Sequence, residues 1–185
     1  MTTRDLLARI VAALNAAEVP YMLTGSYASS LHSIPRATKD IDIIIFPNRD
    51  QLTRFIELLP ADAYYTDLED AMDALRHRGQ FNVIDHATGW KVDFILPAFD
   101  EFHVEEFARR RDLDAEGLTV SVVSPEDIIL AKLAWAKAGR SERQIEDAVT
   151  VLRVQRPTLD FAYLERWVRK LGLETQWNAA LAQSQ

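Results

Sequence analysis

Hydrophobic residues fall in two rhythms along the chain, and their alternation sketches the fold. Leu6, Leu7, Ile10, Val11 and Leu14 recur at three- and four-residue spacing, predicting a helix over residues 4–18 that Pro20 closes. Tyr21, Met22 and Leu23 form a short apolar run ending at Gly25, read as a strand. Residues 26–33, rich in Ala and Ser, predict a short helix starting at Ser26 and stopped by Pro35. Residues 40–46 are a β-branched run, read as a mostly buried strand. Asn48 is placed to cap a helix over 49–59, whose apolar side carries Leu52, Phe55, Ile56 and Leu59. A strand over 63–66 and a helix over 67–78 follow. Next come strands over 80–85 and 90–96, joined through Ala87, Thr88 and Gly89 as a hairpin.

Residues 100–111 read as a helix with Phe102 and Phe107, and 118–123 as a strand. Ser124, Pro125 and Asp127 make a helix start: a capping hydroxyl, proline in the first turn, and a carboxylate three residues on. Beyond it only helical periods appear, over about 125–138, 142–154, 158–171 and 174–183. The shift near residue 124 predicts an α/β core over 1–123 and a helical subdomain over 124–185. The fold class expected is α+β (mixed α/β), a mixed sheet with flanking helices followed by a helical bundle.

Composition narrows the chemistry. The 185 residues carry a net charge of −7, whereas a protein that tracks nucleic-acid backbone is usually basic. Any nucleic-acid substrate would need a local patch, such as Arg76 to Arg78, Arg109 to Arg111, or Arg140 with Arg143; ordinary solvated surface is the plainer reading of each. The chain has no cysteine, which excludes disulfides and thiolate zinc sites. Its four histidines show no short ligand spacing. No apolar run reaches the length of a membrane span, and the first segment, broken by Arg9, Asn15 and Glu18, does not read as a signal peptide. A cytoplasmic protein with no membrane partner is the expectation.

Asp40 and Asp42 lie two apart on a strand, so their side chains leave the same face. Two such carboxylates repel unless a cation lies between them, and magnesium, a hard ion taking oxygen ligands, suits them. Gly25 and Ser26 supply the other half: a helix start with free N–H groups for a phosphate, a residue permitting close approach, and a hydroxyl donor. A third acid is expected from a neighbouring strand. Asp93, inside an otherwise apolar strand, is preferred to Asp85 near the hairpin turn.

This set resembles the polymerase-β-type nucleotidyltransferase superfamily: Gly25-Ser26, a short helix, Asp40-x-Asp42 fourteen positions after Ser26, and a later strand Asp. The string Arg36-x-Thr38-x-Asp40-x-Asp42 is similar, more narrowly, to AbiEii-like and minimal nucleotidyltransferases of bacterial toxin–antitoxin systems. The resemblance covers about residues 21–96. It implies a nucleotidyltransferase-like core moving a nucleoside monophosphate from a nucleoside triphosphate (ATP, for instance) to an acceptor hydroxyl on RNA, protein or a small molecule. It implies two magnesium ions held by Asp40, Asp42 and Asp93, with Asp93 helping to deprotonate the acceptor. Gly25 and Ser26 would hold the phosphates, and Arg36 would either reach the triphosphate or lie in water as a loop arginine. A cognate partner protein, or a non-catalytic antitoxin-like role for the same fold, belongs to the same implication.

On the helix after Ser124, Lys132 falls inside the apolar arc of Ile128, Ile129, Leu133, Trp135 and Ala136. It either snorkels out or faces a polar cleft. The resemblance makes Lys132 a phosphate contact, with Arg143 and Asp147 as loose matches to neighbouring positions and Asp147 a polar partner near the acceptor. Trp135, Trp167 and Trp177 are read as core residues.

Overall fold

The β-branched run after Asp40 becomes the centre of the sheet. The computed structural model describes residues 2–34, 38, 40–139 and 141–184. In chain order the elements are α1 (Thr3–Ala16), β1 (Tyr21–Thr24), α2 (Gly25–His32), β2 (Asp40–Ile45), α3 (Arg49–Glu57), β3 (Tyr64–Tyr65), α4 (Leu68–His77), β4 (Gln80–Asp85) and β5 (Lys91–Ile95). They continue with α5 (Glu101–Ala108), β6 (Arg111–Ala115), β7 (Leu118–Val122), α6 (Pro125–Gly139), α7 (Glu142–Gln155), α8 (Phe161–Leu171) and α9 (Glu174–Gln183).

One mixed sheet runs in the order β3-β4-β5-β2-β1-β7-β6. β2 pairs antiparallel with β1 and parallel with β5, so the strand that carries Asp40 and Asp42 has a neighbour on each side. Ile41, Ile43 and Ile45 are fully buried on the face opposite the two acids. There Phe94 meets Phe55 of α3 at 5.1 Å and Phe81 at 5.0 Å. This aromatic layer pins the register: a slip of one residue would turn both acids into the core.

Local sequence explains most boundaries. Thr2 and Asp5 form a capping box at α1, and Asn48 and Gln51 another at α3. Ser124 caps α6: its Oγ accepts from the Asp127 backbone N–H at 3.2 Å and donates to the Asp127 carboxylate at 2.6 Å. Two expectations are corrected. The helix expected over 100–111 ends at Ala108, and Arg111–Ala115 is an edge strand instead. It pairs with β7 across a turn in which Glu116 and Gly117 both have positive φ. Its Arg111, Asp112 and Asp114 are exposed; an edge strand is suited to charge but shows little hydrophobic alternation. The helix expected from 158 begins at Phe161, because Asp160 caps it by accepting from the Tyr163 N–H. Among the described residues no helix is long and apolar enough to cross a membrane.

Candidate functional site

The sheet register builds the site. Thr24 stands opposite Asp42, Asp42 opposite Asp93, and Asp93 opposite Asn82, so one polar row crosses β1, β2, β5 and β4. Asp40 lies two residues away on the same face, opposite Lys91. Asp40 is exposed and Asp42 half-buried. Burial, then the charges of Asp93 and Asp40, push the Asp42 carboxyl above the usual carboxylate range, against the opposing pull of Lys132 and Lys91. The Lys91 ammonium lies 2.7 Å from Asp93.

Asp85, the competing acid, is excluded from this row by strand parity. Only 1% exposed, it lies on the other face, taking Arg9 at 2.8 Å and the Thr88 N–H and hydroxyl at 3.0 and 2.5 Å. It holds α1 to the hairpin.

Gly25 is required by contact as well as by conformation. Its φ is +67°, and a Cβ there would lie 1.8 Å from Oδ2 of Asp42. The α2 start is thus pressed against the β2 carboxylate, and Thr24 provides no side-chain cap to its first N–H groups. Gly89 offers a control, with φ +69° and open space around it. Gly89→Ala is expected to cost about 1 kcal/mol and Gly25→Ala about 2–3 kcal/mol, measured by denaturant unfolding. Equal losses would show that Asp42 does not crowd Gly25.

Lys132 faces the cleft rather than snorkelling. It is 4% exposed, and its Nζ donates to Asp147 Oδ2 of α7 at 2.9 Å and to Ser26 Oγ of α2 at 3.3 Å. α6 and α7 therefore join the Gly-Ser turn through one ammonium. Arg143 is exposed on α7. Arg36 lies outside the described residues, as does Arg140.

At its Thr24 and Asp42 end the polar row borders a cleft of about 590 Å³ that reaches from Gly25 and Ser26 to α5, α6 and α7. Sequence reasoning missed its far wall: Phe102, His103, Glu106 and Gln144. The available signal was Glu106, an acid one helical turn after Phe102. Trp135 is a correction: it lines this cleft at 65% exposure, while Trp167 and Trp177 are buried as expected. The buried side of α6 is Ile128, Ile129, Lys132, Leu133 and Ala136, and Trp135 falls just outside it. Elsewhere the basic clusters are locally paired: Arg76 with Asp73, Arg78 over the Phe99 ring, Arg109 with Glu126. His32 is packed, with Nε2 at 2.7 Å from the Val123 carbonyl.

Among the described residues no three acids or histidines form a ready-made metal cage. The donor set still fits magnesium, which takes one or two carboxylates and completes its shell with water and phosphate oxygens. The half-buried Asp42, crowded by two further acids, is where a cation relieves most repulsion.

No protein-family model matches the sequence, and no curated protein matches it. Solved structures do match in fold. The chain aligns over 95% of its length with 99% of ANT(2")-Ia in complex with adenylyl-2"-tobramycin, at 15% identity and a TM-score of 0.61. It aligns over 83% with 98% of the lincosamide antibiotic adenylyltransferase LnuA, lincomycin-bound, at 13% identity and a TM-score of 0.57. An antigenic nucleotidyltransferase-like protein from Paracoccidioides brasiliensis aligns with 95% of the chain over 91% of its own, at 17% identity and a TM-score of 0.54. With its acids on adjacent strands beside a Gly-Ser helix start, the chain has the nucleotidyltransferase fold.

Proposed function

We propose that this protein is a magnesium-dependent nucleotidyltransferase, moving a nucleoside monophosphate from a nucleoside triphosphate to an acceptor hydroxyl. The observation that carries the reading is Asp42 opposite Asp93, with Gly25 stripped of its side chain beside the Asp42 carboxylate. A purely structural sheet has no use for two acids face to face there.

In the reaction the acceptor oxygen bonds to the α-phosphorus, the α–β anhydride bond breaks, and pyrophosphate leaves. The α2 N–H groups and Ser26 hydroxyl hold phosphate oxygens, and Lys132, poised on Ser26, adds positive charge at that end. Asp93 takes the proton of the acceptor hydroxyl. Asp40, Asp42 and Asp93 would hold magnesium, two ions in this reading, which when bound supplies charge neutralisation for the in-line displacement. The remaining contribution is positioning by a rigid sheet. Acceptors to be tested are RNA, protein hydroxyls and small molecules; the antibiotic adenylyltransferases of similar fold make the last a natural first choice.

The test incubates the protein with magnesium, labelled triphosphates, and each acceptor class in turn. Label appears on one class with the native chain and is absent without magnesium. Transfer to none of them, or equal transfer by Asp42→Ala, overturns the reading.

One observation favours a second reading, a non-catalytic module that binds a cognate partner protein: the Lys91 ammonium already neutralises Asp93 at 2.7 Å. If Lys91 merely guards the acid until metal arrives, Lys91→Ala binds magnesium several-fold more tightly in a calorimetric titration. Unchanged affinity would favour the module.

A further inference from the structure

The far wall of the cleft carries two buried oxygens with nothing to bind. Glu106 is 2% exposed, and its Oε2 has no hydrogen-bond partner. The Oε1 of Gln144, across on α7, is likewise buried and unsatisfied. Both residues line the cleft that holds Asp42 and Ser26. Unpaired buried polar atoms are costly, and two facing one cleft call for a ligand; once Glu106 is ionised both are acceptors, which a donating group satisfies. The neighbouring acid shows the contrast: Asp127 accepts from the Ser124 and Tyr163 hydroxyls at 2.6 and 2.5 Å.

The local field selects a cation. Asp127 and Asp100 both press negative charge on Glu106. His103 on the same helix is turned to Asp100, at 2.9 Å from it. Arg109 is spent on Glu126 at 3.2 Å, and Lys132 on Asp147. Beside the acid stand Phe102 and the exposed Trp135, an apolar and aromatic surface.

We propose that Glu106, with Gln144, is the acceptor-recognition subsite of this cleft, and that the acceptor is a small molecule bearing a protonated amine next to an apolar face. This rests on reading the cleft as a nucleotidyl-transfer site. The amine docks on Glu106, and the apolar part of the acceptor lies against Phe102 and Trp135. The amine identifies the molecule, while a separate hydroxyl of the same molecule receives the nucleotide.

A proton signature follows. Burial, then Asp127 and Asp100, push the Glu106 carboxyl up to about 8, so without ligand it is neutral at pH 7. An ammonium favours the ionised form, so binding at pH 7 releases a proton, and affinity rises as pH climbs toward the native value.

The experiment uses the full chain without nucleotide or magnesium. Calorimetry compares phenethylamine with the neutral 2-phenylethanol, in two buffers of different ionisation enthalpy. The amine is expected to bind at least about tenfold more tightly and to release about one proton at pH 7. Glu106→Gln, isosteric with the neutral acid, loses both the preference and the proton release, with thermal unfolding as its fold check. Gln144→Ala weakens the amine and keeps the proton release. Equal affinity for amine and alcohol, absence of proton release by the native chain, or an undiminished preference in Glu106→Gln overturns the proposal. Because magnesium is absent, the outcome is separable from nucleotidyl transfer. Amine preference without label transfer overturns only the transfer reading, and label transfer without amine preference overturns only this one.

Discussion

Asp42→Asn is expected to lower nucleotidyl transfer by about a hundredfold to a thousandfold while leaving the protein as stable as before, or more so. The two halves share a cause. Asp42 is half-buried, opposite Asp93 and on the same face as Asp40, and its carboxyl is pushed above the ordinary range. An ionised Asp42 is therefore a cost to the folded chain, and the amide removes that charge at nearly constant shape. A gain of about 1 kcal/mol is the scale expected when a functional group held at the expense of stability is neutralised. Single-turnover transfer and denaturant unfolding of the same preparation measure both. A variant that loses activity and also unfolds more easily would show that Asp42 is structural.

Lys132→Met is expected to cost about 3–5 kcal/mol, the range for removing one member of a buried ion pair. The ammonium is buried on α6 and ties Asp147 of α7 to Ser26 of α2, so its loss strikes three elements at once. The unfolding temperature should fall by roughly 10 °C for a chain of this size. Adding Asp147→Leu to Lys132→Met should recover much of the stability, since a buried pair replaced by apolar groups is often neutral. The double variant should not recover transfer, because the positive charge beside Ser26 is still missing. Recovery of both would remove Lys132 from the site.

The acids were readable because strand parity is a short-range rule. Asp40 and Asp42 share a face whatever surrounds them, and an acid within the apolar run around Asp93 had to have a polar reason. Capping at Asn48 and Ser124 was equally local, requiring only hydrogen bonds within three residues. β6 escaped because its alternation is confined to Leu113 and Ala115 among charged residues, and its pairing depends on a turn with two positive φ values.

What the one-dimensional pattern determined is the sheet strand with its two acids, the Gly-Ser helix start and the order of the helices, all governed by contacts within a turn or a strand. The apolar run around Asp93 already favoured it over Asp85, but register is what sets it opposite Asp42 and turns Asp85 to Arg9. Likewise, only packing brought Lys132 to Ser26, 106 positions away, and set Glu106 and Gln144 on one cleft. Helical spacing says which side of a helix a residue occupies. It does not say which distant helix lies across from it, and that choice follows from burying the whole apolar surface at once.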